Sequence, residues 1–197
     1  YFSKVFFAIT NFFKRFKSRA KRLLIGGLTI GTILYFIPAL YGEGYGIMNN
    51  LLQGDHITAI GKNPFNLDLS NIWIVIILLL GIAIFKAIAM TTTFGAGGVG
   101  GVFIPTLVMG SALGNAFAKI INNVGLDLQV SESNFTLIGM TGLMAGVLHA
   151  PLTAIFLIAE ITGGYELFVP LMIVSAISFS ITKYYISHSI YTLKLAQ

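Results

Sequence analysis

The run over residues 72–94 contains a single charge, Lys86, and at 1.5 Å per residue it is long enough to cross a hydrocarbon core of about 30 Å. Lipid offers no partner to backbone N–H and C=O groups, so a segment of this kind must satisfy them internally, which a helix does within its own length. A second uncharged run covers residues 23–40. Apolar helical stretches over 105–121, 135–148, 152–162 and 167–186 follow, several of them too short to cross as straight rods. Only 10% of the 197 residues are charged and 56% are apolar, whereas soluble domains carry about 25% charge. The pattern predicts an all-α, multi-pass integral membrane protein. Short helices that end at mid-depth are tolerated only where their exposed backbone groups line a cavity or hold a ligand.

The net charge of +5 is unevenly spread. Seven of the twelve basic residues, Lys4, Lys14, Arg15, Lys17, Arg19, Lys21 and Arg22, precede the first apolar run. A basic cluster there predicts a cytoplasmic flank rather than a nucleic-acid patch. Residues 1–22 also carry Phe2, Phe6, Phe7, Phe12, Phe13 and Phe16 near helical spacing, and read as an amphipathic basic helix end at the membrane surface. Residues 23–197 then form the membrane helices, with the C-terminus expected on the cytoplasmic side. A polar, glycine-rich stretch over 41–71 suits a loop holding a short re-entrant helix. Because the chain starts at Tyr1 with no signal-peptide pattern, it is expected to be a piece of a longer polypeptide. Zero cysteines exclude a disulfide scaffold and a thiolate metal site.

Gly95-Ala96-Gly97-Gly98-Val99-Gly100 satisfies the spacing of a dinucleotide loop. That use is excluded, because the loop needs a preceding strand and an acidic residue about 20 positions on, whereas an apolar helix precedes it and Lys119 stands there. No P-loop Gly-Lys-Ser or Gly-Lys-Thr follows either. The underlying physics survives: glycines let backbone approach a guest, and a helix starting after them aims free N–H groups and a partial positive end at it. An anion fits that end. In Gly101-Val102-Phe103-Ile104-Pro105 the proline falls in a first turn that has no use for its missing N–H, leaving the amides of Val102 and Phe103 as donors. Close helix packing is the competing use of the same glycines.

Gly101-Val102-Phe103-Ile104-Pro105, continuing through Gly110-Ser111-Ala112-Leu113-Gly114, resembles the G-x-F-x-P motif of the CLC chloride channels and chloride/proton antiporters. Gly139-Met140-Thr141-Gly142, His149-Ala150-Pro151-Leu152-Thr153 and Glu160-Ile161-Thr162-Gly163-Gly164-Tyr165 resemble later helices of that family in order and spacing. Tyr191, 40 positions after Pro151, falls where the family has a pore tyrosine. The resemblance covers nearly the whole chain, residues 1–22 only loosely. It implies the second of two inverted repeats, with the first repeat, the gating glutamate and the antiporter's internal proton glutamate absent from this chain.

The resemblance further implies that the Val102 and Phe103 amides and the Tyr191 hydroxyl hold a dehydrated chloride. A protonated tyrosine donates one hydrogen bond without adding charge, and conduction needs binding weak enough to release. The expected site therefore uses uncharged dipoles with no formal cation beside it. Tyr191 has an alternative use as an interfacial belt residue, and the Phe103 ring one as pore wall. Glu160, inside an apolar helix, is expected to be a buried structural acid near a subunit contact rather than a proton relay. Lys86 is expected either to snorkel or to pair with a carboxylate of the missing repeat, and His149 to sit at a helix end. No organic cofactor or metal and no enzymatic constellation is expected. The partners implied are chloride, membrane lipid, the first repeat of the same polypeptide and a second copy in a homodimer. A different inverted-repeat anion transporter and a non-transporting membrane scaffold are the competing functions.

Overall fold

A computed structural model describes residues 2–61, 68–125, 129–163, 165–186 and 189. Its helices are α1 (Phe2–Lys14), α2 (Arg19–Phe36), α3 (Tyr45–Leu52), α4 (His56–Ile60), α5 (Ile72–Ala96), α6 (Phe103–Asn123), α7 (Glu132–Leu148), α8 (Pro151–Thr162) and α9 (Phe168–Tyr185), with a 3₁₀ turn over Pro38–Leu40. There is no strand among the described residues. Among the described residues three helices, α5, α6 and α9, are long and apolar enough to cross a membrane.

Local chemistry sets the helix ends. Asn71 caps α5 by accepting from the Trp73 amide at 3.0 Å, and Ser131 caps α7 by accepting from Asn134 at 3.3 Å. Asp55 caps α4 in the same way. Its bonds from the Thr58 side chain and amide hold its exposed carboxyl below the ordinary range. The cap contributes above the ordinary aspartate pKa and is lost as pH falls through the lowered one. Gly97, at φ +100°, closes α5 by donating to the Phe94 carbonyl while Gly98 donates to Thr93.

Helix α6 is the axis of the molecule. Leu107, Val108, Ala112, Ala116 and Lys119 are buried along its length. It packs most extensively on α7 and then on α5, while α3 closes a third side. The α6–α7 contact is close because Gly110 and Gly114 face Gly139. Helix α9 leans on α7 through the Ser178 hydroxyl, which donates to the Gly142 carbonyl at 2.6 Å.

The aromatic-basic N-terminus departs from its expected arrangement as one surface helix. Helix α1 stops at Lys14 in a 3₁₀-like turn, and α2 starts at Arg19 rather than at residue 23. The apolar face of α1, with Phe2, Phe6 and Phe13 buried, is turned onto α5, where the Phe6 and Phe94 rings meet edge to face and Phe13 lies against Gly95. Periodicity shows that a helix has an apolar face; it does not say whether lipid or protein covers it.

His149 is the one non-glycine residue at positive φ among the described residues (φ 56°, ψ 36°), between α7 and α8. Its ring stacks edge to face on Phe179. The left-handed region costs an L-residue about 1–2 kcal/mol and a β-branched one more. His149→Gly is expected to keep or raise the thermal midpoint, whereas His149→Val lowers it. A midpoint equal for both would show that the stacked ring, not backbone conformation, decides the position.

Candidate anion site

The site grows out of the α5–α6 connection. Helix α5 ends at Ala96, Gly97 turns the chain, and Gly98 to Gly101 carry it with exposed backbone to the start of α6. Val102 stands at the N-cap with φ −85° and ψ −23°, and no side chain caps the helix. Its carbonyl accepts from the Thr106 amide at 3.1 Å, and the Thr106 hydroxyl turns back to the Phe103 carbonyl at 2.6 Å. The first-turn amides thus have neither an intrahelical acceptor nor a side-chain one, and the partial positive end of the longest-buried helix is left open.

That end borders a cleft of about 560 Å³, walled by Val99, Gly100 and Gly101 of the loop, Ile104 and Pro105 of α6, and Lys86 and Thr93 of α5. Of the five-residue motif, Gly101, Ile104 and Pro105 meet at the cleft. Val102 and Phe103 stand between them without lining it: the Val102 side chain is buried in the core and the Phe103 ring packs half-buried against it. Any part these two take at the cleft falls to their backbone. Tyr191 lies outside the described residues.

Two expectations are corrected. Lys86 neither snorkels nor lacks a partner within this chain. It is 5% exposed, and its ammonium donates to the Leu40 carbonyl at 3.2 Å and the Gly42 carbonyl at 3.0 Å, tying the end of the 3₁₀ turn to α5. Formal charges of both signs therefore stand in the cleft wall, Lys86 and Glu43, against the expectation of dipoles alone. The signal for Lys86 was present, since a single charge in an apolar run is functional by default, but the acceptors are backbone atoms more than forty positions away and leave no trace in residue type.

Glu160 is exposed on this chain taken alone. It follows Phe156 by one helical turn on the outer face of α8, while Ala154, Ile155, Ile158 and Ala159 form the inner face. An acidic residue in an apolar helix was legible; which face it occupied was decided by the register of α8 against α7 and α9.

A second polar cluster was missed altogether. Lys119, 1% exposed, pairs with Glu132 at 2.6 Å, and its ammonium lies 3.4 Å from His56 Nδ1. It binds α6 to α7 and α4 at the end of α6 away from the cleft.

A glycine loop opening an uncapped, buried helix among long apolar helices is the arrangement of a polytopic membrane protein, and a helix start of this kind suits an anion. Residues 1–183 match the voltage gated chloride channel family, and the chain belongs to that family, the CLC proteins. It is 32% identical over 173 residues to the voltage-gated ClC-type chloride channel ClcB of Escherichia coli O81 (strain ED1a), an alignment covering 86% of this chain and 36% of that protein. Against ClcB of Escherichia coli (strain K12 / DH10B) the identity is 31% over 179 residues, covering 89% and 38%. The chain thus spans well under half the length of these relatives.

Proposed function

We propose that this chain is the second-repeat, C-terminal half of the membrane domain of a CLC-type protein that moves chloride, passively as a channel or coupled to protons as an antiporter. The observation that carries the proposal is the open first turn of α6 beside the cleft, in a chain of the chloride channel family. The amides of Val102 and Phe103 donate to a partly dehydrated chloride, Gly101 lets it approach the backbone, Pro105 stiffens the turn, and Tyr191 adds its hydroxyl. Partial charges hold the ion weakly enough to let it leave. The Lys86 ammonium, engaged by two carbonyls and sharing the cleft with Glu43, offers the ion no bare charge.

The remaining surfaces fit a larger assembly. Leu152 and Phe156 are exposed on the α8 face that carries Glu160, and Val169, Ile173 and Ile177 of α9 are exposed as well; in this proposal a second copy covers them, making a homodimer in which Glu160 becomes buried. The first repeat supplies the other half of the chloride path. Residues 1–22 and the C-terminus lie on the cytoplasmic side.

Chloride efflux from liposomes carrying the full-length parent tests the proposal, with external pH followed alongside to separate passive from proton-coupled movement. Absence of flux at every voltage and pH would reject it in favour of a scaffold; flux of larger carboxylates in preference to chloride would favour another anion transporter. Replacing the Phe103 amide by an ester removes one N–H donor to an anion, a bond of about 1.5–3 kcal/mol, so chloride affinity should fall roughly ten- to hundredfold. Phe103→Leu should leave it nearly unchanged. Tyr191→Ala should weaken chloride occupancy with the fold intact, as read by calorimetric titration.

A further inference from the structure

We propose that the corner between α1 and α2 binds the phosphate headgroup of an anionic phospholipid, whose acyl chains lie along the outer face of α2. Residues 1–42 contain seven Lys and Arg and neither Asp nor Glu. Six of those cations, Lys14, Arg15, Lys17, Arg19, Lys21 and Arg22, lie between the last residue of α1 and the first turn of α2. The ion pair among the described residues is Lys119 with Glu132, so none of the six is neutralised there.

The cluster is shaped, not merely charged. Arg19, Arg22 and Leu23 of α2, with Ala96 and Gly97 at the end of α5, enclose a recess of about 400 Å³. Arg22 Nε donates to the Phe16 carbonyl at 2.8 Å, which fixes the guanidinium plane and leaves its two terminal nitrogens for a guest. The usual internal task of an arginine beside a helix C-terminus is to cap its last carbonyls. Here two of those carbonyls, Thr93 and Phe94, already accept from Gly98 and Gly97 at 2.8 and 3.1 Å, and the Arg22 Nε bond goes to Phe16 instead. Two arginines thus line the recess, with no acidic acceptor for them among the described residues. A phosphodiester fits the planar fork of each.

The surface beyond the recess selects a lipid over other phosphates. Leu23, Leu24 and Leu28 follow the arginines on α2 with 69%, 64% and 66% of their surface exposed. A nucleic acid or free phosphate would satisfy the cations and leave these leucines unused. A phospholipid satisfies both, headgroup at the corner and chains against the leucines, which is the arrangement of a basic pocket beside a membrane helix.

The test is native mass spectrometry of the full-length parent in neutral detergent, titrated with dioleoyl phosphatidylglycerol or dioleoyl phosphatidylcholine. It reads lipid occupancy, so its outcome is independent of whether chloride moves. The wild type should prefer phosphatidylglycerol. At roughly fivefold per basic group near a membrane surface, R19Q/R22Q should lose about thirtyfold in phosphatidylglycerol affinity with phosphatidylcholine unchanged. K183Q, removing the cation over the Phe179 ring on α9, should keep the preference. If K183Q lowers it as far as the double variant, or the double variant keeps it, the site is overturned. Displacement by millimolar inorganic phosphate would assign the recess to free phosphate instead, and capture of a short oligonucleotide without lipid preference would assign it to nucleic acid; either overturns the lipid. Should R19Q/R22Q fail to give monodisperse protein, R19K/R22K, which keeps both charges and removes the planar forks, should still lower phosphatidylglycerol affinity, and an unchanged affinity would overturn the site.

Discussion

Gly139→Val, introduced into the full-length parent, should abolish recovery of monodisperse protein from detergent. A Cβ at Gly139 would meet the Gly110 carbonyl oxygen and lie 2.8 and 2.9 Å from the Gly114 Cα and N. The reverse contacts are equally tight: a Cβ at Gly110 would stand 2.5 Å from the Gly139 oxygen and 2.7 Å from the Met140 Cα. Every one of these atoms is backbone, so no side chain can swing away and α7 must separate from α6 along their whole contact. Overpacking in a closed interface costs about 1–3 kcal/mol where side chains yield, and here the cost should exceed that range. Gly142→Ala is the matched control on the same helix, since its Cβ would sit 3.7 Å from the Val174 methyls, at ordinary contact distance. Chromatographic profiles that match for the two variants would show that α6 and α7 are not packed backbone to backbone.

The same glycines show what a residue string can and cannot convey. A small-residue face on the segment after Pro105 was legible, because only small side chains let helices approach within lipid. The helix succession over α5 to α9 was legible too, from uninterrupted hydropathy and from Gly97 and Pro151 acting at element ends. The open start of α6 followed from glycine and proline chemistry alone. What could not be read was every contact whose partner is a main-chain atom or a residue far along the chain. Lys86 looked like a charge without a carboxylate; its acceptors are the carbonyls of Leu40 and Gly42. Lys119 looked like an ordinary residue after a glycine loop, and its position served only to exclude a nucleotide. Glu160 was judged by the hydropathy of its helix, while its exposure depends on which side of α8 meets α7 and α9. The aromatic face of α1 was assigned to a membrane surface, because lipid and the flank of α5 make the same demand on it.

Helix α6 joins the two polar features of the molecule, with its open N-terminus at the cleft and Lys119 near its other end. The Lys119 pair ties the far end of α6 to α7 and α4. The pair is asymmetric, with Lys119 1% exposed and Glu132 28% exposed. Glu132→Gln should therefore be much the worse of the two single changes. It strands an ammonium in the interior with only an amide and the His56 imidazole nearby, and breaking a buried pair from one side costs about 3–5 kcal/mol. Lys119→Met leaves a carboxylate that reaches water and puts an apolar chain of similar length in the buried position, so it should cost less. The double variant K119M/E132Q should recover most of the loss, because it removes the stranded charge rather than the bond. Thermal unfolding of the three variants in the full-length parent orders them. If Lys119→Met proves as damaging as Glu132→Gln, the hydrogen bond and not the uncompensated charge is what holds this end of α6.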